Sequence, residues 1–146
     1  MRKPIVLLIS VILCSILICG LVAKAQSEVP EITSKVVKIK YPKHGGKVDQ
    51  EISVLGNARL KPGEVLVILV KNARFGWWYQ QSTDKSGDFA VDPVGIGQEQ
   101  DAHKGEKFYI AAVVVDKNKA HKMKQWREKY ASLPGGKTHR IVVFRK

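Results

Sequence analysis

The sequence predicts an all-β fold: a sandwich of about seven strands with one helical insertion before the last strand. Three observations carry this. From Ser34 onward, seven runs rich in β-branched and aromatic residues alternate with Gly, Pro and Asp turn signals. Two of those runs are apolar at every successive position, as strands covered on both faces require. A single segment abandons the period of two for spacings of three and four.

The elements follow in order. "KVVKIKY" places Val37, Ile39 and Tyr41 on one face and Lys38 and Lys40 on the other, which suits a strand with one wet face near a sheet edge. "EISVLG" follows the turn signals of Pro42 to Gly46. Lys61-Pro62-Gly63 then introduces "EVLVILVKN". "WWYQQS" and "DFAVDPV" flank a turn at Asp84 to Asp88 that contains Gly87. "KFYIAAVVVD" and "HRIVVFRK" complete the set. Val65 to Val70 and Tyr109 to Val115 are the central strands, either one per sheet or adjacent in one sheet. Val67, Leu69, Ile110, Ala112, Val114 and Val142 are expected to share one core. Between the last two strands, Ala120, Met123, Trp126, Tyr130 and Leu133 form a helical stripe, ended by Pro134-Gly135-Gly136.

The N-terminal 25 residues have the pattern of a targeting segment. Arg2 and Lys3 precede an apolar run from Ile5 to Val22, broken only by Ser10, Ser15 and Gly20. Ala23 and Ala25 put small side chains where a signal peptidase cutting before Gln26 needs them. The alternative is an uncleaved anchor, since a run of about 18 residues reaches the lower length for a membrane span. In both cases the positive end stays inside and the domain is sent outward. Residues 26–34 form a polar linker broken by Pro30, and residues 35–146 the sandwich domain. Both cysteines, Cys14 and Cys19, lie in the export segment behind Leu13 and Ile18, too large to precede a lipidated cysteine. The remaining domain has none. It must hold by core packing without disulfides, and thiolate chemistry is excluded.

The segment "YPKHGGKVDQEISVLGNARLKPGEVLVILVKN" resembles the opening of immunoglobulin-like sandwich modules of exported bacterial and archaeal proteins. In those, a Pro-x-x-Gly turn like Pro42 to Gly45 leads into a strand. A first hairpin ends at a glycine like Gly56, and a run like "LKPGEVLVILV" forms the next strand. "WWYQQ", "SGDFAVDPVGIG", "GEKFYIAAVVVD", the helical stretch, the "LPGG" turn and the basic closing strand extend the resemblance over about Lys35 to Lys146. It implies an immunoglobulin-like fold. It carries no catalytic residue set, because such modules serve adhesion, spacing and ligand binding alike.

Charge narrows the partners. The chain carries 25 Lys and Arg against 13 Asp and Glu; removing Arg2, Lys3 and Lys24 leaves 22 basic residues and a net charge of about +9. Such a surface attracts polyanions, and outside the cell nucleic acid is the least expected of them. Two clusters stand out as ligand-binding candidates. In the first, Trp77, Trp78 and Tyr79 alternate along a strand, so the two tryptophans cannot both enter one core. Either the outward rings stack on a sugar, or they lie under the helix against Met123 or Trp126. The second cluster is the cationic helix: Lys122, Lys124, Arg127 and Lys129, with Lys117 and Lys119 before them, are opposed only by Asp116 and Glu128. His44, His103, His121 and His139 show no metal-ligand spacing and are expected in solvent. "DKSGD" lacks the remaining ligands of a calcium loop, and no serine has a nucleophile context. The expectation is an exported non-enzymatic binding or structural module with a protein or glycan partner and no cofactor or small-molecule substrate. The alternative is a basic protein that associates with acidic polysaccharide or anionic lipid.

Overall fold

A computed structural model describes residues 30–74, 76–97, 103–126, 133 and 137–146, without the side chains of residues 125 and 126. The expected export segment, and residues 127–132 with Tyr130 of the expected helical stripe, lie outside the described residues. Eight strands and one helix are present: β1 Val37–Tyr41, β2 Gly46–Val48, β3 Glu51–Ala58, β4 Glu64–Asn72, β5 Trp78–Thr83, β6 Gly87–Gly95, β7 Lys107–Asp116, α1 Lys117–Trp126 and β8 Thr138–Arg145. They form an all-β sandwich of a three-stranded sheet, β1-β3-β6, and a five-stranded sheet, β2-β8-β7-β4-β5. The order is immunoglobulin-like: one sheet takes the first, second and fifth strand places of that fold, and β8, β7 and β4 form the facing sheet.

The two apolar runs are neighbours in one sheet. β4 and β7 pair antiparallel from Glu64↔Asp116 to Asn72↔Phe108. Alternate side chains enter two separate cores. Leu66, Ile68 and Val70 with Phe108, Ile110, Ala112 and Val114 face the three-stranded sheet and meet Val37, Ile39, Val54, Phe89 and Val91. Val65, Val67 and Leu69 with Ala111, Val113 and Val115 face away and meet Trp77, Ala120 and Met123. The single shared core expected from sequence is therefore two. Val67 and Leu69 belong to the outer one and Ile110, Ala112 and Val114 to the inner one. Val142 is buried outside both clusters.

Three local details depart from the sequence pattern. β2 is an eighth strand hidden in the Pro42 to Gly46 turn region, and it pairs parallel to β8 through Gly46↔Val143. Tyr41 does not continue the face of Val37 and Ile39. A register shift after Ile39 sets Tyr41 opposite Leu55, and both are turned to solvent, 49% and 40% exposed. Gly56 lies inside β3 rather than at a hairpin end. A Cβ there would fall on the Lys38 carbonyl oxygen and the Phe89 ring, so glycine lets Phe89 cover the strand.

His139 also departs from expectation, being 1% exposed at the start of β8. Its Nδ1 accepts the Ile39 N–H at 3.3 Å, joining β8 to β1 across the sandwich. Nε2 lies 2.8 Å from Glu31 Oε1, close but off the hydrogen-bond axis. The neighbouring Ile32 exchanges both backbone hydrogen bonds with Arg140, at 3.0 and 2.8 Å. Burial holds His139 below the usual histidine value of 6.5, and Glu31 only partly opposes this.

Two outcomes are expected. Because His139 binds its proton less readily when folded than when unfolded, stability is full above pH 6.5 and declines as pH falls below it. Urea midpoints measured across that range should show the decline and lose it in His139→Gln; an unchanged profile would deny His139 this role. Gly56→Ala should cost about 1–3 kcal/mol by overpacking, read from the same titrations at neutral pH, and a neutral result would contradict the close approach of Phe89.

Candidate functional site

The outer face of the five-stranded sheet changes character along its length. Toward one end it is apolar and roofed by α1. Asp116 caps the helix, its Oδ1 accepting the Lys119 N–H at 2.8 Å. Ala120 and Met123 point down and are buried. Leu133 rests on the same cluster. Toward the other end the outward positions become Lys71 on β4, Tyr109 on β7 and Arg140 on β8, and no helix packs there among the described residues.

That open end forms a cleft of about 430 Å³, lined by Lys71, Ala73, Trp77, Tyr109 and Arg140. Lys71 Nζ stands 5.8 Å from the Trp77 ring centroid. The Arg140 guanidinium lies 5.4 Å from that of Tyr109. Trp77 and Tyr109 meet edge to face at 6.5 Å and 69°. Neither cation forms an ion pair with a described residue, and Arg140 Nε is buried with no hydrogen-bond acceptor among them. A second hollow of about 370 Å³ lies between β5 and α1, where Lys117, His121 and Lys124 face Asp84.

The aromatic triplet is split by strand alternation. Trp78 opposes Val70 and Tyr79 opposes Leu69, so Trp78 takes the inner side while Trp77 and Tyr79 take the outer. Trp77 is 3% exposed within the outer core, whereas Trp78 is half-buried at the sheet edge. Tyr79 packs against the outer core, with its hydroxyl donating to Ser82 Oγ at 2.8 Å. No flat pair of rings is offered to a sugar. On the helix, Lys122 and Lys124 are exposed, as are Lys117 and Lys119. Arg127 and Lys129 lie outside the described residues, so the structure places four of the six cations expected on the helix, Lys117, Lys119, Lys122 and Lys124, on one element.

Several acids are engaged with other partners. Lys137, at 2.6 Å, and the Lys61 N–H hold the Glu64 carboxyl below its usual range. Lys40 and Asn57 do the same for Asp88. Glu106 takes both His103 Nδ1, at 2.9 Å, and Arg74, at 3.4 Å. The lysines of α1 have no described ion-pair partner. Arg145 is buried, with Nη1 donating to the Ile96 carbonyl at 2.6 Å and Nη2 to Gln50 Oε1 at 3.3 Å. Among the described residues no group of three or more His, Cys, Asp or Glu could hold a metal ion, and no helix is long and apolar enough to cross a membrane. Sequence reasoning missed Lys71, Tyr109 and Arg140. Each interrupts the outward apolar series of its strand, and that was the available signal.

Against known proteins, no family model, no curated protein and no solved structure gives a significant match.

The split of the tryptophans sets their weight in stability. Trp77→Ala should cost about 3–5 kcal/mol, as large truncations in packed cores do, and Trp78→Ala clearly less. Chemical denaturation of the two variants measures this, and equal losses would contradict the difference in burial.

Proposed function

We propose that this chain is an exported, non-enzymatic binding module that holds an anionic partner on the outer face of its five-stranded sheet. The observation that carries this is a group of cations gathered on one face. Lys117, Lys119, Lys122 and Lys124 project from α1 without ion-pair partners among the described residues, and Lys71 and Arg140 stand on the same sheet face. Each carboxylate paired elsewhere is one fewer to neutralise this face. Ala120 and Met123 are the helix side chains that join the buried outer cluster, and Lys117, Lys119, Lys122 and Lys124 are exposed.

The export reading rests on the N-terminal pattern of Arg2, Lys3, the apolar run and Ala23-Lys24-Ala25. The resemblance to immunoglobulin-like modules supports a binding role rather than catalysis. Outside the cell, acidic polysaccharide and anionic lipid are the polyanions such a face meets, and exposed lysines attract both by long-range charge.

Charge attraction of this kind is screened within about 8 Å at physiological ionic strength. Binding to an acidic polysaccharide or to anionic vesicles should therefore weaken steeply between low and high salt in co-sedimentation. The double reversal Lys122→Glu, Lys124→Glu should remove most of it, since each lysine near an anionic surface contributes on the order of 1 kcal/mol. Both positions are exposed, so melting temperature should hold. Absence of binding to either polyanion at low salt would end this reading.

A further inference from the structure

From the open end of the same face, we infer that the cleft of Lys71, Tyr109 and Arg140 is a subsite for one acidic residue of a polysaccharide, binding its carboxylate or sulfate. This rests on the proposed anionic partner and adds where and how a single unit of it is held.

Three features point to an oxyanion on a sugar. The cleft contains two cations and no carboxylate, whereas the hollow beside α1 sets Asp84 among its lysines. The two cations are held in place: Lys71 rests over Trp77 and Arg140 over Tyr109, and the backbone of Arg140 is fixed by both hydrogen bonds to Ile32. A pre-placed guanidinium loses little freedom on binding and offers two parallel donors matched to a carboxylate or sulfate. Finally, Arg140 Nε finds no acceptor among the described residues. A buried donor without a partner is costly, so the side chain gains when an anion draws its Nε–Nη edge outward.

Size and shape select the carrier. About 430 Å³ lies in the range of small-ligand sites and accommodates a sugar ring with its acid group. Trp77 is too buried to stack on that ring, and Arg140 occupies a face of Tyr109, so recognition goes through charge and not through an aromatic platform. A bilayer presents a broad flat surface, which the projecting lysines of α1 meet before it reaches a recess on the sheet. A flexible polymer with pendant acid groups spans both: the helix gathers the chain and the cleft seats one unit.

The test uses residues 26–146 with a short oligogalacturonate, long polygalacturonate, a sulfated oligosaccharide of similar short length, a neutral maltooligosaccharide and phosphatidylserine vesicles. Titration calorimetry gives affinities, and NMR shifts of the Trp77 indole and Tyr109 ring report the cleft. At least one acidic oligosaccharide should bind and shift both rings, and the two acidic probes tell carboxylate from sulfate. Arg140→Gln and, separately, Lys71→Gln should weaken that binding by about tenfold or more, as loss of a charge-assisted contact does. Lys122→Glu, Lys124→Glu should weaken long polymers yet leave the short oligosaccharide seated. If neither cleft substitution changes affinity while the helix reversal abolishes it, the subsite is wrong and the anionic face stands. Equal binding of the neutral oligosaccharide, or ring shifts produced by vesicles and not by acidic oligosaccharides, overturns the assignment of the ligand. No binding of any anionic probe at low salt overturns both readings.

Discussion

The antiparallel ladder between β4 and β7 runs unbroken from Glu64↔Asp116 to Asn72↔Phe108 and is apolar on both sides over most of its length. A sheet of that kind leaves water only when something covers each face. The three-stranded sheet supplies one cover. The other is α1, which explains why a helix interrupts an all-β chain between β7 and β8. Placing the helix directly after β7 lets Asp116 end the strand and cap the helix at once.

The second cover is short, and that brevity creates the candidate site. α1 reaches over Val65, Val67, Leu69 and their β7 partners, and the strands continue beyond it. There the outward positions turn to Lys71, Tyr109 and Arg140, side chains with apolar bodies and polar ends that cover the sheet partly themselves. The Trp77 and Tyr109 rings of the cleft each carry one cation above them. Stability and binding thus share residues: Trp77 closes the outer core with its body and positions Lys71 with its face.

Ion pairs are spread over both sheets. On the three-stranded sheet, Lys40 and Asp88 neutralise each other across β1 and β6. At the strand ends, Glu64 with Lys137 and Asp49 with Lys146 do the same. These exposed pairs add little to stability. Lys71 and Arg140 on the outer sheet face and the four described lysines of α1 take part in none of these pairs.

By itself the sequence determined the fold class, the two central strands, the wet-faced edge strand and the helical insertion, because burial periodicity is written locally in residue order. It also determined that Trp77 and Trp78 part to opposite sides. Tertiary structure alone decided what depends on a neighbour distant in sequence. The bulge that turns Tyr41 outward, the parallel pairing of β2 with β8 and the glycine requirement at Gly56 each arise from a partner strand. So does the burial of His139, a residue whose type favours solvent and whose place is set by Ile39 and Glu31. The cleft belongs to the same class. Lys71, Tyr109 and Arg140 come from three strands and become one site only through sheet register, and no spacing along the chain encodes that register.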